Sequence, residues 1–453
     1  MNRISVFAII FTLFIPLGAY AQYASSSKTP KKAGDLIEST SYNDHKRGAP
    51  RMLQYLPSGE EFVCVNGKNR YTRALYGGHT AWRLETGDRP IFATYVKNDC
   101  RNIRFRLHLP DGTVTPLEET DWCEARYNPG TRTYALKDKA WGENCSLKVS
   151  VLASLTEEMA VWELSGELPA GCELEVLNSP IRRKKLSRSG DMGADPPGCF
   201  EPAEDGTVLQ ILKCRFPADG HLYVGISGNE LKEMQDGGVQ YLALQKACRE
   251  LSGRIRITTP DSYFNTLGGA LAVAADGIWG EEGVWLHGAV GWRMPLSGWR
   301  AAYVGDVLGW HDRARTHFDN YAASQVTEVP NTIPHPAQDS ALALARSAKI
   351  WGTPQYSNGY ICRNPRRNNQ MHHYDMNLCY IDELLWHFNW TGDLEYARRM
   401  WPLLTLHLAW EKRNFDPDND GLYDAYACIW ASDALYYNSG AVTHSSAYNY
   451  RGN

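Results

Sequence analysis

The apolar and polar positions of the chain change period once, near residue 260. Upstream, short runs such as EFVCVNG, NIRFRLHLP, SLKVSVLASL, MAVWELSGELP, YLALQKAC and RIRITTP alternate apolar with polar side chains. Turn residues separate them at roughly 8–14-residue spacing, which predicts a large antiparallel β-sandwich of two broad sheets. Its expected span is residues 44–258. Residues 182–204, basic and then Gly/Pro-rich, break the rhythm and are expected as a long surface loop.

Downstream, over residues 259–453, apolar positions recur at helical spacing. DSYFNTLGGALAVAADGIW opens on an Asp-Ser cap, a long helix is expected over residues 299–324, and QDSALALARSAKIW reads as another. MHHYDMNLCYIDELLWHFNWTGD and the run after it read as a helix–turn–helix about Thr391-Gly392-Asp393, and a further helix begins near Ser445.

Composition narrows the function. The chain is 43% hydrophobic and 22% charged with a net charge of −4, which suits a globular protein and offers no basic surface for nucleic acid or anionic lipid. Fifteen Trp and 25 Tyr exceed what a core requires and suit a carbohydrate cleft, where rings stack on sugar faces. The 11 cysteines show no CxxC and no zinc spacing, so they are expected as buried small hydrophobes with a few bridges. Residues 1–21 carry Arg3, an apolar run and Ala19-Tyr20-Ala21, the pattern of a cleavable signal peptide, and residues 22–43 read as a flexible tether. No cysteine precedes Cys64, so no lipid anchor is expected and the protein should be periplasmic or secreted, without a membrane span.

FNWTGDLEYARRMWPLL, the turn DPDNDGLYD, and an Asp in the Trp-containing WASD together resemble the six-hairpin (α/α)6 glycosidases. The whole chain also resembles a group of secreted Bacteroidota proteins whose N-terminal β-sandwich domain has no assigned function. The resemblance implies a multidomain β + α fold, a sandwich followed by an incomplete (α/α)6 toroid. A closed toroid needs about twice the helices that residues 259–453 offer, so a chain truncated within the toroid is expected.

Hydrolysis of a glycosidic bond needs two carboxyl groups flanking it. The resemblance places the general acid at Asp433, where Trp430 and Leu435 would raise its pKa by desolvation. Among the residues present, Asp375 is the candidate partner, and the resemblance also allows a partner beyond residue 453. His372, His373, Tyr374, Asp375 and Asn377 crowd one helix start and are candidate substrate-binding groups. The repeated pairs Trp292-Arg293 and Trp299-Arg300 supply sugar platforms and charged forks, and Trp430 adds an aromatic wall. Asp276 and Asp306 are expected at helix surfaces or caps.

DPDNDGLYD matches the first half of a calcium loop, but Ala427 stands where the twelfth-position carboxylate belongs, so no metal and no cofactor are expected. The reading is a glycoside hydrolase acting on polysaccharide-derived oligosaccharides. Two alternatives share its ligand class: a polysaccharide lyase with His373 or Tyr374 as base, and a non-catalytic carbohydrate-binding protein. The sequence does not set the oligomeric state.

Overall fold

The computed structural model describes residues 54–453 except 184, 188–194, 218, 291–292, 329–337, 340–343, 346–357, 369–375, 425–440 and 442. Its first half is built from β1 (Leu56–Ser58), β2 (Glu61–Val65), β3 (Arg73–Tyr76), β4 (Arg83–Thr86), β5 (Phe92–Tyr95), β6 (Arg101–His108), β7 (Val114–Pro116), β8 (Trp122–Asn128), β9 (Thr131–Lys137), β10 (Ser146–Ala153), β11 (Met159–Glu167), β12 (Glu173–Pro180), β13 (Gln210–Arg215), β14 (His221–Ser227) and β15 (Glu230–Glu233). An eight-stranded sheet runs β1-β2-β8-β9-β10-β11-β14-β15, and a seven-stranded sheet runs β13-β12-β6-β5-β4-β3 with β7 beside β6. Every pairing in both sheets is antiparallel.

The two sheets face each other across one core, because period-2 alternation sends every second side chain inward. Ile103, Phe105 and Leu107 of β6 meet Tyr134 and Leu136 of β9 and Val149 and Val151 of β10 there. At its centre the Phe92 ring contacts Phe105, Tyr134 and Trp162 edge-on, with ring centroids 5.3–6.0 Å apart. Arg132 lies on the same inward face of β9 and is fully buried.

Two runs that read as strands are not strands. YLALQKAC lies within helix α1 (Gly237–Ser252), and residues 254–260 connect it onward without strand pairing. Tyr241, Cys248 and Leu251 are buried at helical spacing, and Tyr241 and Cys248 pack on Leu152 and Val161 of the eight-stranded sheet's outer face. The run was ambiguous because four alternating residues fit either period. The excursion at 182–204 is anchored at its feet: Ile181 bridges Pro202, and Asp195, fully buried, accepts hydrogen bonds from Arg183 and from the Ser187 amide.

The second half contains α2 (Ser262–Gly277), α3 (Tyr303–Val307), α4 (His311–Ala322), α5 (Met376–Thr391), α6 (Leu394–Phe415) and α7 (Thr443–Gly452). The long helix expected over 299–324 is broken at Gly309, whose φ of 73° ends α3 and lets α4 start afresh. Within QDSALALARSAKIW, Gln338–Asp339 and Leu344–Ala345 pair as short antiparallel strands, and the rest of that run lies outside the described residues. The α5–α6 turn is as expected: Gly392 takes φ 62°, and Asp393 caps α6 by accepting from the Tyr396 amide. Helix α5 is buried along nearly its whole first three turns and contacts α3, α4, α6 and α7. The ten cysteines among the described residues are free thiols, eight of them buried, and none forms a bridge.

The halves are joined by buried charge. Asp276, near the end of α2, accepts from Arg313 of α4 at 2.7 Å and pairs with His79 of the sandwich at 3.0 Å. Arg293 donates to the carbonyls of Gly277, Trp279 and His79. Asp306 is likewise buried, held by His311 at 2.7 Å and His387 at 2.9 Å. Neither aspartate is the surface or capping residue expected from sequence, because His79 and Arg313 reach Asp276, and His387 reaches Asp306, from distant segments.

Burial raises the Asp276 pKa, but the hydrogen bonds and charges of His79 and Arg313 outweigh it and hold it below 3.8. Its stabilisation is therefore full above the ordinary carboxylate range and is lost as pH falls through the lower folded value. Asp276→Asn should cost roughly 1–3 kcal/mol at neutral pH, and the deficit should narrow in acid. Urea unfolding of both proteins across pH checks this.

Candidate functional site

Of the residues expected at the rim, Trp292, His372, His373, Tyr374, Asp375, Trp430 and Asp433 lie outside the described residues. The elements that lead to them are described. Cys379 of α5 donates its thiol to the Tyr448 hydroxyl of α7 at 3.4 Å, and three residues further on Asp382 pairs with Arg451. Equal steps along both helices mean that α5 and α7 run parallel, so Met376 and Thr443 begin at the same end. An antiparallel bridge between Asp424 and Ala441 fixes the two flanks of residues 425–440 near the start of α7.

Trp299 and Arg300 come to this end too. A Cβ on Gly298 would meet the Met376 carbonyl oxygen at 2.0 Å, so glycine alone lets the 298–300 segment lie against the first turn of α5. Arg300 takes φ 64° and interacts with Cys379 and Tyr448. The half-buried Trp299 ring stands 4.0 Å from His287, and its indole N–H is buried without a hydrogen-bond partner. The structure thus gathers Trp299, Arg300 and the positive ends of two helices, a setting that favours oxygen-rich or anionic groups.

Two expected binding residues are engaged elsewhere. Arg293 spends its donors on the three backbone carbonyls of the junction. Asn377 is buried and clamps Ile361, accepting from its amide at 2.6 Å and donating to its carbonyl at 2.9 Å.

Sequence reasoning missed the acids beneath this end. Asp382 accepts from the Tyr303 hydroxyl and pairs with Arg451. Glu383 is buried and accepts from the Ala302 amide at 3.0 Å, while its second oxygen has no partner. Burial pushes the Glu383 carboxyl well above 4.5, against the opposing backbone hydrogen bonds. The available signal was two acids inside IDELLWHF, a run whose other residues, His387 apart, are apolar. Burial also pushes the Cys379 thiol up to about 12, which makes it a poor nucleophile at neutral pH.

In the turn after α6, Asp416, Asp418 and Asp420 bring ligand atoms within 4.8 Å of one another, with Asp416 buried. The Gly421 amide donates to Asp416 and the Leu422 amide to Asp420, so local turn bonds already use part of this acceptor capacity.

A separate cavity of about 580 Å³ opens between the sandwich and α2. Phe62, Leu75, Tyr127, Leu155 and Val273 form much of its apolar wall, and Tyr55, Thr72, Arg73 and Arg132 its polar part.

A raised folded pKa means that Glu383 favours the folded state below the carboxylate range and opposes it as pH rises. Glu383→Gln should therefore flatten the decline of stability above pH 4.5, read by denaturant midpoints from acid to neutral pH. Trp299→Ala should weaken oligosaccharide affinity by roughly 1–3 kcal/mol if the ring carries a sugar. Unchanged affinity in calorimetry would assign the ring to packing.

Residues 100–208 match a sequence family described as a domain of unknown function, DUF4450. The match spans β6 to β12 and the excursion after them, and it includes none of α1–α7. A comparison with curated proteins finds no match.

Proposed function

We propose that this is an exported carbohydrate-active protein whose helical half belongs to a six-hairpin (α/α)6 toroid and which hydrolyses glycosidic bonds in polysaccharide-derived oligosaccharides. The observation that carries the reading is the common end of α5 and α7. Trp299 and Arg300 stand there, and the segments bearing Asp375 and Asp433 lead into it from the starts of those helices. The pattern of a helix buried over its first turns (α5), followed by one with an exposed face (α6) and a third parallel to the first (α7), is that of successive hairpins.

In this reading Asp433 protonates the departing glycosidic oxygen, and a second carboxylate, with Asp375 the candidate, directs water to or attacks the anomeric carbon. Trp299 holds a sugar face, and Arg300 orients hydroxyl or carboxylate oxygens. Arg300 beside two helix starts also favours a second reading. A uronate carboxylate neutralised there would let His373 or Tyr374 remove the neighbouring proton, as in a polysaccharide lyase.

One experiment separates these. The full chain is incubated with neutral and uronate-containing polysaccharides, following reducing ends, the ultraviolet absorbance of an unsaturated product, and ligand retention. Hydrolysis gives new reducing ends without the absorbance, elimination gives both, and a binding protein gives retention alone. Asp433→Asn should lower hydrolysis by about 10²–10⁴-fold with sugar retention intact. Unchanged turnover in this variant would remove Asp433 from the mechanism.

A further inference from the structure

The cavity between the sandwich and α2 has chemistry unlike that of a sugar cleft. Its wall is mainly aromatic and aliphatic, drawn from the inner end of the sandwich and from one side of α2. Its polar groups gather about Tyr55. The guanidinium carbons of Arg73 and Arg132 lie 5.2 and 5.3 Å from the centre of that ring.

Arg132 is fully buried on the inward face of β9. Its Nη2 donates to the Tyr55 hydroxyl and to the Gly87 carbonyl, each at 2.7 Å, whereas Nε and Nη1 have no hydrogen-bond partner. The Thr72 hydroxyl, which also lines the cavity, is buried and equally unpartnered. Asp88 is connected to Arg132 only through the Tyr55 hydroxyl, which donates to it at 2.7 Å, and its other oxygen takes the Asn69 amide and side chain. None of the described residues lining the cavity is acidic.

A buried guanidinium with two unpartnered donors beneath an apolar space lacks a direct anion, and unpaired buried charge is strongly unfavourable. A neutral sugar would leave the apolar wall unmatched and the charge unanswered. The volume lies within the range of about 300–1,000 Å³ usual for small-molecule sites. We propose that this cavity is a binding site for an amphipathic monocarboxylate, with the carboxylate reaching Arg132 and Thr72 once a small side-chain shift uncovers their donors, and an alkyl or aryl body against Phe62, Leu75, Tyr127 and α2. Arg73, exposed at the opening, adds a second positive charge on the ligand's path. The site is independent of the glycan reading, being built from β2, β3, β8, β9, β10, α1 and α2 and from none of the rim residues.

The test uses the full chain, with anilinonaphthalene sulfonate as fluorescent probe and dodecanoate, dodecanol and dodecylamine as competitors. Dodecanoate should displace the probe at one equivalent and bind at least about tenfold more tightly than dodecanol, since a charge-assisted pair is the added term. Dodecylamine should be the weakest. Arg132→Met should erase the preference for acid over alcohol while dodecanol binding persists. Arg73→Gln, at an exposed position, should reduce the preference without touching the core. Ala274→Phe, which narrows the opening from α2, should block acid and alcohol alike.

Equal affinity for acid and alcohol in the unaltered protein would overturn the proposal, as would a preference that survives both arginine variants. So would a cavity that takes up the probe only after proteolysis before Gln54, which would assign it to the chain's own leading segment. Concentration-dependent association abolished by Ala274→Phe would assign the opening to a second copy and overturn it too.

Discussion

The buried carboxylate of Asp276 is the constraint on which the arrangement of the molecule depends. It stands at the end of α2, where the chain leaves the sandwich for the helical half, and it is answered from both sides, by His79 and by Arg313. Arg293 closes the same junction by taking carbonyls from the His79 loop and from the end of α2. Neither half supplies the full set of partners, so a buried charge at this point is tolerable only when the halves are docked. Arg313 adds its guanidinium over Trp279 and Trp310, tying the charge cluster to the aromatic packing behind it.

Docking has two consequences. In the first, α2 roofs the open end of the sandwich and encloses the apolar cavity around Arg132. Further along, the segment after α2 is held so that Trp299 and Arg300 arrive at the first turn of α5, with Gly298 permitting the close approach. A single clamp thus positions an apolar, cationic cavity and an aromatic, polar helix end. Their chemistry differs: one has unpartnered cationic donors beneath an apolar wall, the other two helix starts beside an aromatic ring and a guanidinium.

Within the helical half, buried polar groups specify the packing. Asp306 joins His311 to His387, Glu383 accepts from the amide at the start of α3, and Tyr380 donates to the Phe318 carbonyl at 2.7 Å. Apart from the local His311–Asp306 bond, each runs between segments distant in sequence. An apolar α5 could slide or rotate among its neighbours, whereas these directional bonds accept one register.

The sequence by itself determined the two-part organisation, because period-2 and helical spacing are local consequences of which face is buried. Strands β2, β4–β6 and β10–β14 and the α5–α6 turn were legible for that reason. Helix α1 was not, since YLALQKAC alternates over a length that fits both periods and only the outer face of the eight-stranded sheet decided between them. For the candidate site, Trp299 and Arg300 were legible as a pair, but Arg293, in the matching pair, was drawn into the junction by carbonyls that no sequence window reveals. Glu383 stood inside a largely apolar run and Arg132 between two threonines in TRTYALK, and the significance of both came from what surrounds them in space. Burial and hydrogen-bond partnership depend on residues far along the chain, so the tertiary structure alone decided which charges hold the fold and which face a space that a ligand can fill.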